Sequence, residues 1–139
     1  MRLRRLIPLC VAAVLAAQPS VAFVAANGMS VEARKDGTMQ VPFRGLTSET
    51  SFWCAVGDYV TTALRKPGKT RIFRLTEPPR RQGAGVVFSL DPKGAATSTG
   101  VSVYGGSGPP GSLSAGMSYA FCPPRFPFRT GFGLQFQVP

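Results

Sequence analysis

The side chains able to do chemistry in this chain are few, and their scarcity is informative. There are six carboxylates, Glu32, Asp36, Glu49, Asp58, Glu77 and Asp91, and no histidine. The commonest general base and the commonest metal ligand are therefore missing, and with them most arrangements that activate a nucleophile. Asp36 and Asp91 sit in turn sequences, Asp36-Gly37 and Asp91-Pro92-Lys93-Gly94. The remaining carboxylates show no partner spacing, so an acid/base pair of the glycosidase kind rests on Glu77 and Asp58 as its least implausible members. No metal site and no cofactor is expected.

Cysteine is the second chemistry. Cys10 lies inside an N-terminal apolar run, which leaves Cys54 and Cys122 as the pair in the rest of the chain. The first residues have the order of a secretory signal peptide. Arg2, Arg4 and Arg5 come first, Leu6 to Ala17 form the hydrophobic middle, and Ser20-Val21-Ala22 supplies small residues at alternate positions. A membrane anchor or a buried first helix is the rival reading, but Gln18, Pro19 and Ser20 interrupt the run short of a bilayer's thickness. The expected cut falls between Ala22 and Phe23, with Ala26 as a second possibility. Residues 1–22 are then the signal, residues 23–139 form one mature domain, and no transmembrane anchor remains. In a periplasmic or secreted chain, Cys54 and Cys122 read as one disulfide.

Basic charge is the third. Sixteen lysines and arginines face six acids, and loss of the three signal arginines leaves a balance of +7. After export the anionic partners are an envelope component or an acidic protein, not nucleic acid. Arg65, Lys66, Lys69, Arg71 and Arg74 cluster around Pro67-Gly68, with Arg80 and Arg81 close behind, and these seven are the candidate anion-binding residues. Charge carried at hairpin tips for solubility alone is the plainer explanation. Arg125-Phe126-Pro127-Phe128-Arg129 interleaves cations with aromatics, which could clamp a glycan, a lipid head group or a partner peptide, but core packing beside Cys122 is the better reading. Gly106-Ser107-Gly108-Pro109-Pro110-Gly111 has the spacing of a dinucleotide loop, but its prolines lack N–H groups to face a pyrophosphate.

The elements that must position these residues are mostly short period-2 segments between turns. Val31 and Ala33, then Met39, Val41 and Phe43, flank Asp36-Gly37 as a two-residue hairpin, and Pro42 marks an edge or an end. Ser48 to Leu64 breaks the pattern with apolar residues at helical spacing, Ser48 as N-cap and Glu49 in the first turn. Cys54 falls off the main apolar stripe of that helix, so the disulfide is expected to clamp it to a later strand, with Trp53 packed alongside. Pro67-Gly68 is a turn with proline and glycine central. Further strands are expected at Arg71–Leu75, Val86–Leu90, Val101–Tyr104, Met117–Phe121 and Phe132–Val138. The expectation is an α+β domain: about seven short strands in a mainly antiparallel sheet, one packed helix and one disulfide.

Two segments, Ser51-Phe52-Trp53-Cys54-Ala55-Val56-Gly57-Asp58-Tyr59-Val60 and Leu75-Thr76-Glu77-Pro78-Pro79-Arg80-Arg81, resemble those of small exported bacterial proteins of no assigned activity. The resemblance implies export and transfers no site residue. The function expected is a non-catalytic exported binding or structural protein with a basic surface; the alternative is a small exported hydrolase using the carboxylate pair.

Overall fold

The computed structural model describes residues 22–45, 47–103 and 108–124. Six strands, β1 (Phe23–Val24), β2 (Ser30–Ala33), β3 (Met39–Val41), β4 (Arg71–Arg74), β5 (Val86–Ser89) and β6 (Ser112–Ser114), form one sheet in the order β1-β2-β3-β5-β4-β6. Every neighbouring pair is antiparallel. Helix α1 (Glu49–Asp58) continues into a π-helical segment, Tyr59–Ala63, and a second helix, α2 (Ala115–Ala120), follows β6 directly. The domain is α+β with a Cys54–Cys122 disulfide, as the sequence implies.

The β2–β3 hairpin forms with Ala33 opposite Met39, which makes its loop longer than the expected two residues. The amide of Gly37 donates to the Arg34 carbonyl and that of Arg34 to the Thr38 carbonyl. Gly37 alone of this loop has positive φ, at 82°. This is a β-turn closed by a left-handed glycine, which needs one such residue and not two. The Asp36 carboxylate instead takes the Thr38 hydroxyl and N–H, which hold its pKa below the ordinary range. β3 ends at Val41, just before Pro42.

The core lies between α1 and the sheet. Phe52, Trp53, Val56 and Val60 meet Val31, Val41, Ile72, Val86 and Phe88, all fully or almost fully buried. Trp53 crosses Phe88 edge-on at 4.8 Å between centroids, and its indole N–H donates to the Thr99 carbonyl at 3.0 Å. That bond satisfies the polar end of a buried side chain. Residues 52–58 are all buried, so α1 has no solvent stripe along its second half.

What covers its far side is α2, and here the sequence reading needs correction. Met117, Tyr119 and Phe121 were expected to alternate along a strand, yet Ala115–Ala120 is helical. The Ser114 hydroxyl caps it by accepting the Met117 N–H. Buried Ala115 and Ser118, three apart, form its inner face, while Met117 and Tyr119 are exposed. Small residues let the two helices meet closely. A Cβ added at Gly57 would lie 2.6 Å from the Tyr119 backbone nitrogen and 2.7 Å from the Ser118 Cβ. The disulfide therefore clamps α1 to Cys122, two residues past the end of α2, not to a strand, with 4.8 Å between the Cα atoms.

Three smaller points differ. Val101–Val103 is irregular, and among the described residues β1 and β6 are strands the pattern did not suggest. Ser48 occupies the N-cap position, but its hydroxyl meets Thr50 and Ser51 hydroxyls and caps no backbone N–H. The turn after α1 has the Thr70 N–H bonded to the Pro67 carbonyl, which centres it on Gly68 and Lys69. The expected strand at Phe132–Val138 and the segment Arg125–Arg129 lie outside the described residues.

Candidate functional site

The structure sets five of the seven candidate cations in two groups. Arg74 belongs inside. It follows Ile72 by two on β4, so both point to one side of the sheet, and both are fully buried. Its Nη1 donates to Glu49 Oε2 at 2.6 Å and to the Thr99 carbonyl at 3.0 Å, and its Nε donates to the Thr76 carbonyl at 2.6 Å. Nη2 is buried with no hydrogen-bond partner. A charge placed this deep is tolerated because a carboxylate and two carbonyls surround it.

Arg80 completes the group from the loop after β4. Its Nε lies 3.2 Å from Glu49 Oε1, and its Nη2 donates to the Thr47 carbonyl at 3.0 Å. The guanidinium stands 5.1 Å from the Phe43 ring centroid and 4.9 Å from that of Phe52. Glu49 is thus held by two arginines, one at each oxygen, with its side chain 27% exposed. Sequence reading placed Glu49 near the helix dipole but did not find this pairing. A signal existed: β4 alternation puts Arg74 on the Ile72 side, where an arginine requires an acid.

Beside this cluster is an open cleft of about 570 Å³, lined by Phe43, Thr47, Glu49, Pro79, Arg80 and Gln82 among others. Its charged groups are already engaged with one another. Chemically the cluster is a latch: it fixes the start of α1 against β4 and the Pro78–Pro79 loop, whose peptide bond is cis.

The outer group is Arg65, Lys66 and Lys69, all exposed on the connection between the π-helical segment and β4. Arg65 takes positive φ, 52°, as the chain leaves the helix, and the Lys66 N–H returns to the Val60 carbonyl. The connection is pinned to α2. Gly116 N–H donates to the Gly68 carbonyl and Ala115 N–H to the Thr70 carbonyl, each at 2.8 Å. Of the other two candidates, Arg71 is half-buried with its guanidinium against Gly108, and Arg81 is exposed in the β4–β5 loop. The seven cations do not form one face.

The two carboxylates considered for hydrolysis are committed separately. Asp58 is fully buried and accepts from the Ala26 N–H at 2.8 Å and the Thr62 hydroxyl at 2.7 Å. Glu77 is exposed and accepts from the Thr97 hydroxyl and N–H, which together lower its pKa. Neither lines the cleft. No group of three acidic, cysteine or histidine side chains suited to a metal occurs among the described residues. Among the same residues, no helix is long and apolar enough to cross a membrane. Comparison with protein-family models, with curated proteins and with solved structures finds no match to this chain.

Proposed function

We propose that the mature chain is a non-catalytic exported binding protein that meets an anionic envelope component or an acidic protein through the connection carrying Arg65, Lys66 and Lys69. The observation behind this reading is the contrast in exposure. Arg74 and Arg80 are spent on Glu49, whereas Arg65, Lys66 and Lys69 face solvent. No carboxylate side chain occurs between Asp58 and Glu77, so nothing in that stretch of sequence neutralises them. The separate internal bonds of Asp58 and Glu77 leave the hydrolase reading without a supporting observation.

Export is part of the proposal, as the N-terminal pattern and the resemblance to exported proteins imply. The disulfide belongs to an oxidising compartment. Cleavage after Ala22 would keep β1, buried Ala25 and the Ala26 bond to Asp58, whereas cleavage after Ala26 would remove them. Mass spectrometry of exported protein is expected to find Phe23 first; a chain still beginning at Met1 would overturn this. The contact itself is tested by sedimentation with envelope fractions at low and high salt. Wild type should be released by salt, and Lys66→Gln/Lys69→Gln should bind less than Lys35→Gln/Lys93→Gln, which removes equal charge from two other exposed turns. Equal loss in both pairs would reject the site.

A further inference from the structure

We infer that the occupant of this face is an anionic lipid bilayer, with the basic connection on the head groups and neighbouring apolar side chains in the interface. The inference rests on the anion-contact reading above and narrows it to one partner.

Apolar surface is left uncovered in few places. Among the described residues the exposed large hydrophobics are Val24, Phe43, Leu64, Met117 and Tyr119. Two of the five, Leu64 at 37% and Met117 at 38%, lie on the connection and on the end of α2 beside it. Three contacts place these elements together. Cys122 is bonded to Cys54, Tyr119 lies over Gly57, and Gly116 is hydrogen-bonded to Gly68. α2 therefore runs antiparallel to α1 and its π-helical continuation. Its N-terminal end reaches the connection that holds Leu64, Arg65, Lys66 and Lys69. Met117 follows Gly116 directly, next to the turn that carries Lys69.

This mixture of residue types discriminates between partners. A polysaccharide or an acidic segment poor in apolar residues needs cations and hydrogen-bond donors, and gains little from leucine and methionine beside them. A bilayer uses both: lysine and arginine are attracted by anionic head groups, and leucine and methionine enter the acyl boundary. The charge is complementary in the wider sequence too, because no acidic side chain follows Asp91. The close packing at Gly57 and the disulfide hold the face rigid, so little ordering opposes docking.

The test is co-sedimentation of the mature chain with vesicles of phosphatidylglycerol and phosphatidylcholine, against vesicles of phosphatidylcholine alone and against polyglutamate beads. Binding is expected to the anionic vesicles and to fall with salt. Lys66→Gln/Lys69→Gln should weaken it about thirtyfold, from roughly fivefold per cation, while Lys35→Gln/Lys93→Gln should change it little. Leu64→Ser/Met117→Ser should weaken vesicle binding about tenfold and leave bead binding unchanged. Thermal melts follow folding, and Met117→Ser alone carries the apolar arm if Leu64→Ser unfolds. Bead binding without vesicle binding would overturn the lipid partner and leave the anion-contact reading standing. Binding to neither would overturn both. Vesicle binding indifferent to Leu64 and Met117, or lost equally in the Lys35/Lys93 pair, would overturn this face as the docking surface.

Discussion

The two ends of α1 are fixed in opposite ways. At its start, charge is turned inward: Glu49 is clasped by Arg74 and Arg80, and the guanidinium groups find carbonyls and aromatic rings. Along its second half the hold is covalent and steric, through the Cys54–Cys122 bond and the Gly57–Ser118 approach, and the cations beyond its π-helical continuation face water. Arginines a few residues apart in sequence therefore have different uses. Charge that is buried and paired holds the fold, and only charge that is not needed for the fold is available to a partner.

The sharpest way to break this comparison is at the inner end. Glu49→Gln leaves Arg74 fully buried without its counter-ion, and a cost of about 3–5 kcal/mol is expected in denaturant unfolding. A loss below about 1 kcal/mol would show that the latch is dispensable. At the outer end, Cys54→Ser or Cys122→Ser should cost about 2–5 kcal/mol, and the double variant little more, since each removes the same bond. Thiol titration of the denatured, unreduced protein should find neither cysteine free. Gly57→Ala should cost about 1–3 kcal/mol, because the added methyl meets the backbone of α2, which cannot rotate away. By contrast, Lys66→Gln/Lys69→Gln should stay within about 0.5 kcal/mol of wild type. That near-zero change, set against the Glu49 result, is the comparison in its most direct form.

The smallest effect concerns pH. The Thr97 hydroxyl, then its N–H, depresses the Glu77 pKa below its ordinary value. A carboxylate depressed on folding adds stability above its unfolded pKa, and that stability is lost as pH falls through the folded value. Thr97→Val should move the Glu77 titration upward in an NMR pH series and flatten the acid side of the stability profile. An unmoved titration would discount the hydroxyl as the cause.

Local chemistry made much of this fold legible. Asp36-Gly37 marks the hairpin, Pro42 its end, and Asp91-Pro92-Lys93-Gly94 a turn in which the Asp91 carboxylate accepts the Lys93 N–H and Gly94 takes positive φ. The helix from Glu49 and the disulfide were legible for the same reason: each rests on residue types whose preference is strong. What stayed hidden depends on contacts distant in sequence. Met117, Tyr119 and Phe121 alternate like a strand, but the inner face of α2 is the small pair Ala115 and Ser118, chosen by Gly57 on another helix. The candidate cations were grouped by nearness in sequence, and only Glu49, 25 residues before Arg74, decides that Arg74 turns inward.

The disulfide also bears on how the molecule tolerates proteolytic damage. Arg81 and Gln82 are exposed in the loop between β4 and β5, and they lie between Cys54 and Cys122 in sequence. A protease that cuts there produces two pieces that remain one molecule. Central strands β4 and β5 would then belong to different fragments, still paired across their shared hydrogen bonds and still tethered through α1 and α2. Such a nicked form migrates as the intact protein until it is reduced, and its lifetime is set by the reductants around it as much as by the proteases.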